Sequence, residues 1–420
     1  MVTAARDARE VRSMLGFTVP SSLDAHRRRV IVLLLLASLP AAFVNTVFTQ
    51  TVAFAAKEFD VSAKGQGFAA AIVRWGVVIA LPFALSADRL GRRRMIIITA
   101  WLAPLITSLG AVAPNFEFLV ATQTIGRPLG LALSVFIMVF ATEEMGSDAR
   151  AWALSVLAIA SGIGAGSAVA ALPLAGLSES SWRWVYLVGL VWLACAVVVT
   201  RSLPETTRFL ALKDQQPSTV APEVKIDRGR LTLQIIVAVL ANVFIATVSI
   251  FQVRYLTEVR GYGAAMASAF TIFTVLPSSI ALVIGGRLAD STGRRQVAVA
   301  TIPVGATLVA VSYSVSGPVM WLTALAGGFS IALAYPAMSV FRSELFPTAK
   351  RNLASALITT ASLLGGSIGL IGAGIAIDNG YSYGAVITTL AAFPVIVAML
   401  VWFKYPETAN VSLEELNPTN

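Results

Sequence analysis

The chain of 420 residues is poor in the side chains on which most enzyme sites and disulfide frameworks depend. Its one cysteine, Cys195, excludes an internal disulfide. Its one histidine, His26, precedes the first long apolar stretch, so a His/Cys metal site or a His-based catalytic triad cannot be assembled. We therefore expect neither an enzyme nor a bound metal or cofactor.

Charged residues are scarce as well, at 13% of the chain, whereas 57% of the residues are hydrophobic and the mean hydropathy is +0.79. A soluble globule needs a largely polar surface, which this composition cannot supply. In a bilayer each crossing takes about 20 apolar residues in helical form. We predict an all-α membrane protein with twelve transmembrane helices, at 30–54, 66–86, 95–113, 117–141, 151–175, 184–201, 232–255, 264–286, 296–316, 318–341, 353–376 and 382–403.

The basic residues are distributed unevenly between the loops, and this predicts the orientation. Most of the 31 Lys and Arg residues fall in the termini and in alternate loops, while the opposite loops contain only Lys57, Lys64, Arg183 and Arg260. Because basic loops stay in the cytoplasm, we expect a plasma-membrane protein with both termini cytoplasmic. The net charge of +9 follows from this topology, so no nucleic-acid partner is expected. The expected partners are the lipid bilayer and a small solute, and the protein is expected to be a monomer.

A polar segment occurs twice between apolar runs, as ALSADRLGRR at 84–93 and GRLADSTGRR at 286–295, and Asp290 follows Asp88 by 202 positions. Other landmarks recur at nearly the same interval: Glu143 and Glu344, Arg150 and Arg351, Pro204 and Pro406, Gly162 and Gly365, Gly166 and Gly369. Such a repeat predicts two pseudo-symmetric six-helix bundles. We expect a cytoplasmic N-terminal segment at 1–29, bundles at 30–201 and 232–403, a cytoplasmic linker at 202–231 and a tail at 404–420.

These motifs resemble those of major facilitator superfamily transporters over nearly the whole chain. The two D-R-x-G-R-R-type loops are similar to the cytoplasmic signature of that superfamily. More narrowly, four segments resemble the sugar-porter and organic-ion branch of the superfamily: PETTRFL at 204–210, SWRW at 181–184, ELFPTAKRN at 344–352 and PETANVSLEEL at 406–416. The resemblance implies alternating access, in which the two bundles rock around a central site lined by helices 1, 4, 7 and 10.

The repeated polar loops have a physical reason beyond topology. Gly91 and Gly293 permit a tight turn, and the resemblance implies a latch that holds the two halves together on the cytoplasmic side when the cavity faces out. Plain topology signalling is the alternative, although it requires no Asp and no fixed turn. The expected latch residues are Asp88, Arg92, Asp290, Arg294, Glu144, Arg150, Glu344 and Arg351.

Polar side chains within the membrane are costly and are therefore candidates for solute binding. The candidates are Asn45, Thr49 and Gln50 in helix 1, Arg74 in helix 2, Gln123 and Arg127 in helix 4, Asn242 and Gln252 in helix 7, and Tyr335 in helix 10. Arg127 stands on a cavity helix at mid-depth, too deep to reach the surface comfortably. An unpaired guanidinium binds a carboxylate through two parallel hydrogen bonds, which points to an organic anion.

The chain departs from the family pattern at three places. Helix 1 has no Asp, so a coupling proton, uniport and exchange all stay open. The sugar-binding glutamine pair of helix 7 is replaced by SIFQVRY, and the Gly-Pro step typical of proton-driven drug exporters is missing from helix 5. We therefore predict a secondary transporter of a small polar organic solute, with a carboxylate as the favoured class. A sugar or polyol transporter is the alternative, followed by a multidrug exporter and, last, a non-transporting sensor.

We predict that Asp88→Asn weakens the cytoplasmic latch and shifts the protein toward inward-open states. Removing one partner of a shielded charge network costs about 3 kcal/mol, which is enough to move a nearly balanced equilibrium. Cysteine labelling of the cavity from the cytoplasmic side measures the shift. Unchanged accessibility in the variant would mean that the loop only sets topology.

Overall fold

The computed structural model describes residues 23–78, 91–145, 149–206, 227–346 and 351–408, without the side chains of 150, 151, 342–344, 351 and 352. Within these ranges all regular secondary structure is helical. The predicted all-α fold is thus confirmed. Eleven helices of the described ranges are long and apolar enough to cross a membrane, and the remaining crossing, α2, is described only in part.

The helices are α1 Ala25–Glu58, α2 Ala63–Trp75, α3 Arg92–Val112, α4 Phe116–Glu144, α5 Arg150–Ala170, α6 Trp182–Ser202, α7 Arg228–Val259, α8 Ala264–Thr292, α9 Arg294–Ser312, α10 Gly317–Glu344, α11 Arg351–Asp378 and α12 Tyr383–Lys404. The last five residues of α7 are π-helical. The order matches the predicted crossings, with shifts of a few residues at the described ends; the predicted end of the second crossing, at 86, lies outside the described residues. The division into the predicted domains and linker stays a prediction, since most of 202–231 lies outside the described residues.

The helix ends follow local chemistry that hydropathy alone does not register. Asp24 accepts a hydrogen bond from the backbone N–H of Arg27 at 2.7 Å, so α1 begins several residues before its apolar run. Gly91 and Gly293 directly precede α3 and α9 with φ of 95° and 110°. Only glycine adopts this backbone freely. In the second loop α8 ends at Thr292 and α9 starts at Arg294, which confirms the tight turn predicted there, whereas the residues just before Gly91 lie outside the described ranges.

Because the helices alternate in direction, the bundle has two ends. We call the end at which α1 finishes, at Glu58, the distal end, and the end at which α1 starts, at Ala25, the proximal end. The distribution of basic residues predicts that the distal end faces outside. We call α1–α6 the N-half and α7–α12 the C-half.

Glycines bring the helices of each half into backbone contact. In the N-half a Cβ on Gly164 of α5 would overlap the carbonyl oxygen of Leu39 in α1, and in the C-half a Cβ on Gly365 of α11 would lie 2.5 Å from that of Val239 in α7. Of the three glycines in SGIGAGS at 161–167, only Gly164 packs closely, because Gly162 and Gly166 face open space.

Among the described residues the two halves meet where α1 packs against α7, where α2 packs against α11, and where α5 and the 3₁₀ helix Leu172–Gly176 after it pack against α8. The contact of α2 with α11 is the closest, since a Cβ on Gly67 would overlap the carbonyl oxygen of Leu370, and one on Gly374 would lie 2.6 Å from that of Ala63. This contact runs from the distal end of the bundle to mid-depth, where α2 carries Arg74.

We predict that Gly164→Leu destabilises the N-half by about 1–3 kcal/mol or more, because the side chain meets backbone that cannot move aside. Gly166→Leu is the matched control, since it lies half a turn away on the open face of the same helix. Thermal unfolding of the two purified variants measures the difference. Equal melting temperatures would show that α5 does not rest on α1 through Gly164.

Candidate functional site

Two arginines lie side by side at mid-depth in the N-half, and we call them the arginine pair. Arg74 is eleven residues into α2 and Arg127 eleven residues into α4, and both helices start at the distal end. At 1.5 Å per residue each lies about 16 Å below that end. Gly76 lets α2 approach the backbone of α4 at Thr124. The two guanidinium groups are close enough to repel each other electrostatically.

Arg74 links the two halves of the protein. Its Nη1 donates to Oδ1 of Asn242 in α7 at 3.3 Å, and Nδ2 of Asn242 donates to Oγ of Ser362 in α11 at 3.1 Å. The same Nη1 atom would lie 3.1 Å from a Cβ on Gly366, so the absence of a side chain there makes room for the guanidinium. Arg74 and Asn242, predicted separately as site residues, are therefore brought together.

Arg127 has unused hydrogen-bond donors. Its Nε and Nη1 atoms are buried without a partner among the described residues, and so is Nε of Arg74. No carboxylate in the described ranges forms a salt bridge with either arginine. Two adjacent positive charges with free N–H groups thus lie in the low-dielectric part of the bundle, an arrangement that favours an anion.

The amide side chains predicted near Arg127 occupy different places. Gln123 is fully buried, and its Nε2 donates to the carbonyl oxygen of Thr107 in α3 at 3.1 Å. This hydrogen bond ties α4 to α3. Oδ1 of Asn45 would lie 3.2 Å from a Cβ on Gly130, one turn from Arg127, and has no described hydrogen-bond partner. Gln50 is 8% exposed and its Oε1 likewise has no described partner.

The other predicted cavity residues differ in exposure and surroundings. Thr49 is partly buried in α1, and Tyr335 in α10 is exposed. Gln252 lines a cavity of about 230 Å³ in the C-half, which we call the C-half cavity. Its walls come from α7, α8, α9 and α10 and are mainly aliphatic and aromatic.

At the distal end the halves are joined by a cluster of hydrogen bonds, which we call the distal cluster. The carboxylate of Asp378, at the end of α11, accepts from the backbone N–H groups of Ala63 and Lys64 at 3.0 Å each. It therefore caps the first turn of α2, where an anion is favoured. Arg254 donates to Oε1 of Gln66 and to the carbonyl oxygen of Val61, both at 3.1 Å.

The sequence did not point to this cluster, because Asp378 and Ala63 are 315 positions apart and share no motif. Further along the same end, Oγ of Ser268 in α8 donates to the carbonyl oxygen of Val169 in α5 at 2.7 Å. The described hydrogen bonds between halves are concentrated at the distal end and at Arg74. The two halves are thus held together at the distal end, which we call the distally closed form.

Three contacts of the predicted latch residues, at the proximal end, each lie within a single half. Arg294 lies 3.6 Å from Asp290, Arg92 donates to Glu143 at 3.2 Å, and Glu144 lies 3.7 Å from His26. Asp88 lies outside the described residues, and the side chains of Arg150, Glu344 and Arg351 are not described. The latch across the two halves therefore stays a prediction.

Two glutamates that the sequence analysis missed hold the polar loops. Glu205 accepts from the backbone N–H of Arg93 at 3.0 Å, and Glu407 accepts from those of Arg294 and Arg295 at 2.9 and 3.1 Å. Each glutamate caps the helix that follows the glycine turn. Both belong to the repeated Pro-Glu-Thr segments, 202 positions apart, which could have identified them.

The chain belongs to the Major Facilitator Superfamily, whose model matches residues 34–276 and 264–419. It is therefore a multi-pass membrane transporter of small solutes, and its family and fold are those of transporters rather than enzymes.

Relatives of known name are distant. A Haemophilus influenzae protein named for metabolite transport is 25% identical over 82% of this chain and 88% of its own length. A Cupriavidus pinatubonensis protein named "probable 4-methylmuconolactone transporter" is 25% identical over 82% and 81%. A Caenorhabditis elegans protein named as a transporter is 25% identical over 73% of this chain, which spans only 58% of that relative.

Solved structures support the fold. The inward-open xylose transporter XylE of E. coli aligns over 93% of this chain and 99% of its own, with a TM-score of 0.76 and 17% identity. A bacterial homolog of the human lysosomal transporter Spinster, inward-facing and unoccupied, aligns over 91% and 97% with a TM-score of 0.74 and 15% identity. The predicted family and its two-bundle fold are confirmed.

We predict that Asp378→Asn opens the distal end more often, by about two- to fivefold, because the amide caps α2 without a negative charge. The matched control is Asp60→Asn, in the same distal loop region, where Asn tolerates the φ of 51°. The readout is labelling of Ser249→Cys in a Cys195→Ser background by a membrane-impermeant reagent added from the distal side. Identical labelling rates in both variants would contradict a closing role for Asp378.

Proposed function

We propose that this protein transports a small organic anion carrying a carboxylate across the plasma membrane by alternating access, with both termini in the cytoplasm. The observation that supports it is the arginine pair, with its unused donors and no described carboxylate partner. A carboxylate between two guanidinium groups supplies acceptors for these donors and offsets their repulsion. The relatives named for metabolite and 4-methylmuconolactone transport are consistent with a small organic solute.

The residues of the proposed site have different roles. Arg127 is the principal ligand, and Arg74 is the second cation, held in place by Asn242. Asn45, Thr49, Gln50, Gln252 and Tyr335 are the polar residues around the solute path, and Gln123 positions α4 through Thr107. Because Arg74 also contacts the C-half, an anion that binds it acts directly on the boundary between the halves.

In this proposal the proximal latch is the counterpart of the distal cluster. Arg92, Arg294, Asp290 and Glu144 remain near their own helices in the distally closed form. When the cavity opens distally, the two polar loops approach each other, and their charges then interact across the halves together with Asp88, Arg150, Glu344 and Arg351. The monomer is the proposed transporting unit.

We predict that wild type binds an organic acid at least about tenfold more tightly than the matching amide, the difference expected for a charge-assisted hydrogen bond. Arg127→Lys keeps the charge but loses the planar two-point geometry, so acid binding weakens. Arg127→Gln abolishes anion uptake. Competition binding on purified protein and uptake into proteoliposomes are the two measurements.

Arg201→Gln is the control, because it removes one exposed arginine at the proximal end of α6 without touching the site. It should transport like wild type. Equal affinity of the wild type for acid and amide would remove the anion proposal and leave Arg127 with a packing role.

A further inference from the structure

Helix α7 connects the arginine pair to the C-half cavity, because it carries both Asn242, which binds Arg74, and several residues of the cavity wall. In α7, Ile245 follows Asn242 by three residues and Ser249 follows it by seven. All three residues therefore share one face of the helix. Asn242 binds Arg74, while Ile245 and Ser249 line the cavity. The axial rise from Asn242 is about 4.5 Å to Ile245 and about 10 Å to Ser249. A solute about one ring long, held at Arg74 beside Asn242, therefore spans the axial distance to Ile245 at the edge of the cavity.

The cavity presents a nearly apolar wall even though it contains hydroxyl groups. Ser249, Thr274 and Ser278 donate to backbone carbonyl oxygens of their own helices at 2.9–3.0 Å. The hydroxyl of Tyr255 donates to the carbonyl oxygen of Tyr313, and that of Tyr313 donates to the carbonyl oxygen of Val248. These donors are already used within the protein, so little remains for a charged group.

Gln252 is the exception among the polar side chains of the wall, since its amide has no hydrogen bond with another described residue. It is partly exposed and lies on α7 close to the distal end of the cavity. One neutral polar atom on the solute, such as a carbonyl or ether oxygen, can be bound there. A second carboxylate cannot be matched by a single neutral amide in an apolar pocket.

We propose, on the basis of the proposed anion transport, that the solute is an amphipathic monocarboxylate with a ring-sized uncharged body. The carboxylate binds at Arg127 and Arg74 in the N-half, and the body fills the C-half cavity. The two ends of one solute thus contact opposite halves of the transporter. At about 230 Å³ the cavity holds roughly seven waters at liquid density, and the apolar body displaces them.

The test compares four probes on purified wild type: benzoate, benzamide, acetate and succinate. Benzoate is expected to bind at least about tenfold more tightly than acetate, the gain from burying a ring-sized apolar surface. Benzamide and succinate are expected to bind more weakly than benzoate, the first because it lacks the charge and the second because its far carboxylate enters the apolar cavity.

Val275→Trp fills the cavity from α8 and is expected to lower benzoate affinity to the level of acetate while leaving acetate unchanged. Val283→Trp is the matched control, since both valines are on α8, at 57% and 60% exposure, and only Val275 lines the cavity. The comparison of probes on wild type decides the question even if the tryptophan variant does not fold.

The outcomes separate the two proposals. One outcome is that acetate or succinate binds as tightly as benzoate, while benzamide binds more weakly than all three carboxylates. That result rules out the amphipathic solute but leaves anion transport standing. If benzamide binds as tightly as benzoate, anion transport itself fails. If no carboxylate probe binds, both proposals fail. Benzoate affinity that is unaffected by Val275→Trp overturns the role of the C-half cavity.

Discussion

Two like charges placed next to each other at mid-bilayer are the constraint on which the rest of the site depends. Each guanidinium loses much of its hydration there, and Arg74 and Arg127 also repel each other. Within the described residues no acid compensates them, so the fold must hold them by packing. Two glycines make that packing possible. A Cβ on Gly76 would collide with the backbone of α4, and a Cβ on Gly366 would crowd the Arg74 side chain. In the proposed mechanism an anion relieves this repulsion and so couples solute binding to the stability of the bundle.

The position of Arg74 makes this coupling mechanical as well as electrostatic. It lies in the N-half, but one hydrogen bond goes to Asn242 in the C-half, beside the α2–α11 contact. Hydrogen bonds within a half move with that half and are kept in every state. Only contacts between the halves distinguish the distally closed state from the distally open one. Arg74–Asn242 therefore belongs, with the distal cluster, to the small set of interactions through which the solute changes the preferred state.

The sequence predicts the fold because each helix carries its own signal in hydropathy, and the 202-residue repeat predicts the two-bundle organisation. Such signals repeat along every helix, so the sequence cannot tell which of several similar residues packs against a neighbouring helix. Gly162, Gly164 and Gly166 lie within little more than one turn, and only the register of α5 against Leu39 shows that Gly164 packs. Arg74 and Arg127 could be singled out by their cost in a membrane. Their equal depth and the link to Asn242 depend on how three separate helices are placed.

The two ends of the molecule use the same interaction for opposite purposes. At the proximal end Glu205 and Glu407 cap α3 and α9 of their own halves, so these carboxylates fix loop shape and are kept when the halves move. At the distal end Asp378 caps α2 of the other half, so its two hydrogen bonds must break for the cavity to open at that end. A helix N-terminus binds a carboxylate equally well in both places. What makes one contact structural and the other conformational is only whether the two partners lie in the same rigid body.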